Sequence, residues 1–275
     1  AKGKGYGIYA LDGWGNRALL IDDPKLSCFQ PTPLRQRTRP TNIAPVVMGD
    51  EKHAKTATMF VQDVYEGMTG IERGRVKYLR VMGPLPWEWQ APGVFRAGMA
   101  GNVHRKKVYG VAKVHEDGSA YFTVPADENI FFQALDENYM QLQHMPTFIN
   151  LMPGEKRSCI GCHEQRRKAP SMARAHPLAL DHPAQTLSPQ PGETGPRMVH
   201  YVTDVQPVLD KHCVSCHGAK NPKGHLDLTG KLTDSWCVSY ENLIGRGLVS
   251  VRDCRYGRAG YRPEPPLSFG SHLSK

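Results

Sequence analysis

Three adjoining stretches set the character of the chain: Lys107-Val108-Tyr109-Gly110-Val111-Ala112-Lys113-Val114, the turn Glu116-Asp117-Gly118-Ser119, and Ala120-Tyr121-Phe122-Thr123-Val124. β-Branched and aromatic residues crowd both flanks, and such side chains pack well on a pleated, half-buried surface. An Asp-Gly pair between two alternating runs signals a hairpin, because Gly supplies the positive φ that a tight turn needs. Working outward, residues 57–65 are rich in strand formers, and Val76-Lys77-Tyr78-Leu79-Arg80-Val81 alternates with period two. Ile130-Phe131-Phe132-Gln133-Ala134-Leu135 is one more run, closed by a strand-end turn at Asp136-Glu137-Asn138. Short strands at this spacing predict a sandwich-like, β-rich domain over residues 51–168.

The flanks differ in kind. Residues 1–29 read as a single hairpin: a strand over 7–11, turn chemistry at Asp12-Gly13-Trp14-Gly15-Asn16, and a returning strand over 18–21. A lone hairpin cannot bury its apolar face, so this one is expected to be the last piece of a larger β domain. Residues 30–50 and 169–197 are Pro-rich and read as linkers, since Pro fixes an extended backbone and withholds ladder hydrogen bonds. Residues 198–275 change period. Val205, Val208 and Leu209 stand at helical spacing within 202–212, and residues 236–244 are a candidate second helix. The chain starts at Ala1 with no initiator Met, which suggests a processed product or part of something longer. Its last residues lack a closing helix, which suggests truncation.

The first β-rich domain ends in Cys159-Ile160-Gly161-Cys162-His163, and the helical stretch runs into Cys213-Val214-Ser215-Cys216-His217. Cys-x-x-Cys-His is the attachment signature of c-type haem. Two thiols reach the two vinyl groups of one porphyrin, and the adjacent imidazole is held under the iron as an axial ligand. The reading is two covalently bound haem c groups on Cys159, Cys162, Cys213 and Cys216, with His163 and His217 as iron ligands. Competing readings are zinc knuckles, which want two thiol pairs folded onto one ion, and thioredoxin-like pairs, which want a βαβ setting. Each pair here carries its own His, and neither lies near such a setting. Residues 87–101, rich in Pro and Gly, are expected to form an ordered loop over the haem or the sheet. Distal ligand candidates are His144, Met145 and Met152 before the first motif, and Met198, His200, His225 and His272 around the second. An open iron favours small-ligand chemistry and a saturated one favours electron transfer.

Composition sets further bounds. The 275 residues suffice for one large or two modest domains. With 27 Gly and 22 Pro, a helical bundle is a poor fit and a loop-rich β protein a good one. Mean hydropathy is −0.48, and no apolar run approaches the about 20 residues of a membrane-crossing helix. Net charge is +9. The basic residues cluster weakly, at Arg35, Arg37 and Arg39 and at Arg166-Arg167-Lys168, so a solvated basic surface is expected rather than a nucleic-acid site. Haem propionates would offset part of that charge, and an acidic redox partner is a second use for it. Of seven cysteines, Cys28, Cys237 and Cys254 lie outside the motifs. Haem attachment and disulfides share an extracytoplasmic setting, so Cys237 and Cys254 are candidates for a bridge, with Cys28 left over.

A resemblance stands beside these readings. The residues Asp117-Gly118-Ser119-Ala120-Tyr121-Phe122-Thr123-Val124-Pro125-Ala126, then Gln133-Ala134-Leu135-Asp136-Glu137, Pro153-Gly154-Glu155 and Ser158-Cys159-Ile160-Gly161-Cys162-His163-Glu164 resemble the hydrazine synthase alpha subunit family. Its members are multidomain c-type proteins of the planctomycete type. Pro31-Thr32-Pro33-Leu34-Arg35 resembles the junction after that family's β-propeller, and Pro207-Val208-Leu209-Asp210 the start of its C-terminal cytochrome c domain. The resemblance implies a propeller-type hairpin, a middle haem domain and most of a small helical cytochrome c domain. It also implies a periplasmic or anammoxosomal location, and redox partner proteins or other subunits of a multi-haem complex. In that family the middle-domain iron is held by a Tyr shortly after the motif, while the motif His turns to zinc. Here Glu164, Gln165, Arg166 and Arg167 follow, with no Tyr among them, which makes His163 the expected ligand of its own haem and leaves zinc unsupported. The function expected is extracytoplasmic electron transfer by a di-haem cytochrome. Hydrazine synthase-type nitrogen chemistry at the first haem is the alternative.

Overall fold

The structure, a computed structural model, describes residues 5–36, 38, 53–85, 106–145, 147–162, 176–251 and 265–275. The expected loop at 87–101, the basic residues 166–168, His163 and Cys254 lie outside the described residues. The chain divides into two units, Ala1–Ala44 and Pro45–Lys275.

The first unit is an antiparallel hairpin of β1 (Ile8–Leu11) and β2 (Arg17–Ile21). The Asp12 carboxylate shapes its turn by accepting the N–H groups of Trp14 and Asn16 at 3.0 and 2.9 Å and the Asn16 side-chain amide at 2.7 Å. Tyr9, Leu11, Leu19, Leu20 and Ile21 are exposed.

The second unit is β-rich with a small helical part. A three-stranded sheet has the order β10 (Lys156–Cys159), β3 (Thr56–Val61), β6 (Ala120–Pro125). A larger sheet has the order β11 (Arg197–Met198), β5 (Lys106–Lys113), β4 (Tyr78–Pro84), β7 (Asn129–Leu135), β8 (Gln141–His144), with β9 (Ile149–Asn150) paired to the start of β7. The buried sides of both sheets feed one core. Ala57, Met59 and Val61 alternate along β3, as do Ala120, Phe122 and Val124 along β6, and they meet Leu79, Val81, Ala112, Ile130 and Ala134 of the larger sheet. Period-two burial of this kind is why the strands were legible as strands.

One expectation is corrected. The Asp117-Gly118 turn does not close a hairpin, because β5 and β6 belong to different sheets. The turn is a corner between layers. Residues 185–188, from the stretch read as a linker, take the place of the direct ladder: Ser188 bridges to Val111 of β5 and Gln185 to Phe122 of β6. The corner is fastened to the same stretch. Asp117 accepts Ser119 N–H at 2.9 Å, Ser119 Oγ at 2.7 Å and Leu178 N–H at 2.9 Å, while Ser119 Oγ accepts Ala179 N–H at 3.0 Å.

The helical part has α1 (Gln206–His212), entered by a wider turn over Tyr201–Val205, and α2 (Val238–Gly245). Gln206, buried at the start of α1, ties the two together: its amide donates to Asp210 Oδ1 at 2.7 Å and Leu228 O at 3.0 Å, and its Oε1 accepts Ser239 Oγ at 2.5 Å. Cys237 is a buried free thiol just before α2, 3.4 Å from Ser239 Oγ. Among the described residues no helix is long and apolar enough to cross a membrane.

Candidate haem-attachment sites

The first motif continues a sheet. β10 runs parallel to β3 with Cys159 opposite Val61. The pairing extends into the motif: Gln62 N–H donates to Cys159 O at 2.9 Å and Asp63 N–H to Ile160 O at 3.1 Å. Before the motif, the buried carboxylate of Glu155 accepts Met152 N–H at 2.8 Å and Arg157 Nε at 2.7 Å, while Thr58 N–H donates to Glu155 O at 2.8 Å. The strand carrying Cys159 is thus held at both ends of its register.

The loop that receives the motif is itself organised. The buried carboxylate of Asp63 accepts a two-pronged Arg73 guanidinium at 3.0 and 2.7 Å and Tyr65 N–H at 3.0 Å. The Tyr65 hydroxyl accepts the N–H groups of Gly74 and Val76 at 2.7 and 3.0 Å. Gly161 packs into this loop so closely that a Cβ there would run into Glu66 Cβ and lie 2.5 Å from Glu66 O. Cys159 and Cys162 pack against the core. Burial pushes the Cys162 thiol up to about 12, with the neighbouring Cys159 and Asp63 adding to the effect. The carboxylates of Asp63 and Glu155 were not singled out from sequence, because only the fold shows them buried.

The second motif continues a helix. Cys213 caps α1, its N–H donating to Leu209 O at 2.8 Å. Cys216 N–H and His217 N–H both return to Cys213 O, at 3.1 and 2.9 Å, so two thiols and an imidazole sit on one turn. His217 Nδ1 lies 3.1 Å from Leu226 O. A carbonyl only accepts, so Nδ1 carries a hydrogen, and in the neutral ring that leaves the lone pair on Nε2. That is the tautomer an iron-ligating imidazole needs, and anchoring the second nitrogen on a carbonyl is how metal-bound histidines are oriented. Leu228 N–H also donates to His217 O at 2.8 Å.

These residues fit the group that the motif implies. Cys213 and Cys216 are free thiols, one part-buried and one exposed, and His217 offers Nε2. At the first motif the two thiols are described and the imidazole is not. Among the described residues, no three His, Cys, Asp or Glu gather to hold a metal ion.

The distal candidates are scattered. His144 on β8 stands edge-on to Phe131 and Phe269, at 5.1 and 6.1 Å between ring centres. Met145 packs against Met82, Val108 and Phe131. Met152 and Met198 are exposed. His200 is exposed, and its N–H is held by Asp204 Oδ2 at 2.6 Å. His225 is exposed on the turn before Leu226, and His272 pairs with Asp136 Oδ2 at 3.1 Å.

Fold and motifs together define a two-sheet β protein with an appended helical segment, each part ending or opening on a Cys-x-x-Cys-His sequence. A family model described as the hydrazine synthase alpha subunit middle domain matches residues 74–164. Among solved structures, Kuenenia stuttgartiensis hydrazine synthase is similar with a TM-score of 0.55 and 19% identity, over 69% of this chain and 33% of that one. The likeness to the solved structure is one of fold, and the chain spans about a third of that chain's length. A comparison with curated proteins found no match. Residues 74–164 are thus hydrazine synthase alpha subunit-like.

Proposed function

We propose that this chain is a di-haem c-type electron-transfer module of an extracytoplasmic protein related to the hydrazine synthase alpha subunit. The observation that carries the reading is the His217 imidazole, locked by Leu226 O into the iron-binding tautomer on the same turn as two free thiols. Cys213 and Cys216 would hold one haem through thioether links with His217 as axial ligand. Cys159, Cys162 and His163 would hold the other. The bound haem supplies a one-electron couple whose potential follows ligand identity and burial. The protein's part is to orient His217, to seat Cys159 and Cys162 against an apolar core, and to hold the motif turns rigid. Thioether attachment argues for the periplasm or the anammoxosome lumen, where disulfides also persist. The exposed hairpin Ile8–Leu11 and Arg17–Ile21 fits the closing piece of a propeller blade. Redox proteins or other subunits of a multi-haem complex are the expected partners.

A second reading draws on the match over residues 74–164, which contains the first motif and stops before the second. It assigns hydrazine synthase-type chemistry to the first haem and an electron-supplying role to the second. Purified protein decides between them. A pyridine haemochrome spectrum and intact mass should report two covalently attached haems, and an unmodified mass overturns both readings. Two low-spin haems inert to nitric oxide and carbon monoxide support electron transfer. A first haem that binds nitric oxide supports the second reading.

A further inference from the structure

His217 is aimed by a backbone carbonyl, and a carbonyl is only as steady as the chain that presents it. Leu226 follows a turn built on two successive left-handed residues, Gly224 at φ 62° and His225 at φ 54°. That conformation is natural for Gly, but a residue with a Cβ adopts it only under strain, because the Cβ crowds the following carbonyl oxygen. The exposed His225 does not hold it through burial. Something outside the turn has to.

The start of the turn is tied to the motif by Lys223 N–H on Cys216 O at 3.0 Å, and its carbonyls are held from one face of α2. Arg246, which caps that helix, donates Nη1–H to Gly224 O at 3.4 Å and Nη2–H to His225 O at 2.5 Å. Asn242, four residues earlier and so on the same side of the helix, donates Nδ2–H to Asp227 O at 2.8 Å. The carbonyls of residues 224, 225 and 227 are therefore each held by α2, and the one between them, Leu226 O, is left to face His217 Nδ1 at 3.1 Å. We infer that Asn242 and Arg246 are positioning residues for the axial imidazole of the second haem, acting through the strained turn at 224–225 and the Leu226 carbonyl. The inference rests on the haem reading of the second motif and adds the device that sets the ligand's orientation and basicity.

A hydrogen bond from Nδ1–H to a fixed carbonyl makes the imidazole a stronger donor and favours ferric iron. Loosening the carbonyl weakens that bond, so the second centre should become easier to reduce. Potentiometric titration of the full-length holoprotein tests this, with the second centre assigned as the one that disappears in Cys216→Ala. Arg246→Ala is expected to shift the ferric-to-ferrous ratio of that centre at fixed potential about tenfold toward ferrous, about 59 mV upward for one electron. Arg246→Lys, which keeps the charge and loses the two-pronged reach, should fall between Arg246→Ala and wild type. Asn242→Ala should move the same centre in the same direction. The other centre should stay put. A loss of thermal stability with the second potential unchanged would reduce both residues to structural ones and overturn the inference. Should Arg246→Ala fail to fold, Arg246→Lys and Asn242→Ala decide the matter alone. If no haemochrome band appears, the haem reading fails separately. The positioning claim is then read from ring-nitrogen NMR of His217 in the full chain produced without haem. Wild type should show the Nδ1–H tautomer and Arg246→Ala a mixture, and the same mixture in both would overturn it.

Discussion

At Gly161 a hydrogen atom is all that fits. The turn of the first motif is bonded to residues 62–63 through Cys159 O and Ile160 O, so it cannot back away from the loop without breaking that pairing. A methyl at 161 would lie 2.5 Å from Glu66 O and 3.0 Å from Asp63 O. Gly161→Ala is expected to destabilise the protein by about 1–3 kcal/mol, the usual cost of overfilling a packed site. The matching position of the second motif, Ser215, is exposed, and Ser215→Ala should stay within about 0.5 kcal/mol of wild type. Urea unfolding of the two variants checks the contrast. Asp117 supplies a pH-dependent case. Burial acts to raise its carboxyl, but the hydrogen bonds from the Ser119 hydroxyl and N–H and from Leu178 N–H, with the His115 charge, outweigh it and hold it below 3.8. A carboxyl depressed in the fold contributes stability that is complete above its unfolded value and is lost as pH falls through the folded one. The gap in Tm between wild type and Asp117→Asn should therefore be widest near neutral pH and close as pH drops below 3.8. Thermal melts across the acid range would expose a gap that stays constant, which would sink the account.

Between residues and the whole molecule, what was legible in the sequence depended on whether the signal was local. Strands β3 and β6 were readable because alternate residues are buried and that pattern is written into the chain, and β4, β5 and β7, which bury consecutive residues, because β-branched and aromatic side chains crowd them. The two helices were readable from the change of period. Strand pairing was not, and the Asp117-Gly118 corner shows why. The turn chemistry is the same for a hairpin and for a corner, and the choice was made by Leu178, Ala179, Gln185 and Ser188, which arrive much later in the chain from a Pro-rich stretch with no apolar period. The thiols and imidazoles of both motifs were legible as a spelling. Their support was not, because it consists of backbone carbonyls such as Leu226 O and of buried side chains whose burial only the fold creates. Gln206 is of that kind. As a polar residue opening a short helix it carries no sequence signal, yet it joins α1 to the 228 backbone and to the start of α2. Gln206→Ala strips partners from Leu228 O and Ser239 and should cost about 1–3 kcal/mol. Hydrogen exchange should rise together in Gln206–His212 and Val238–Gly245, and a rise confined to the first helix would show that the network does not couple them.

Within the second unit, the helical part and the larger sheet meet through a segment of chain with little regular structure. Residues 265–275 pair Leu267 N–H with Leu142 O of β8 at 2.9 Å and place His272 against Asp136 Oδ2 at 3.1 Å. The same segment bonds Gly270 N–H to Ser250 O at 3.0 Å, Lys275 N–H to Leu248 O at 2.8 Å, and Ser274 Oγ to Ser250 N–H at 3.1 Å. One end of the tail is thus fixed to the sheet and the other to the chain leaving α2. The stretch it grips starts two residues after Arg246, so the tail also steadies the helix end that holds the turn before Leu226. The main core, by contrast, draws mostly on the two sheets, and only Leu267 of the tail packs against it. Deleting residues 265–275 should therefore act unevenly. The Ser250 N–H loses its Ser274 Oγ acceptor, and the carbonyls of Leu248 and Ser250 lose the N–H groups of Lys275 and Gly270, so exchange should rise over 246–251 and most at Ser250, whereas β3, β4 and β6, buried in the shared core, should keep most of their protection. On the proposed haem reading, the consequence should extend to the second motif, as a second haem centre with a raised potential beside an unshifted first one. Hydrogen exchange read by mass spectrometry together with potentiometry measures both effects in one preparation. A uniform loss of protection across the sheets would show that the tail is a general staple of the fold rather than a brace on the His217 side.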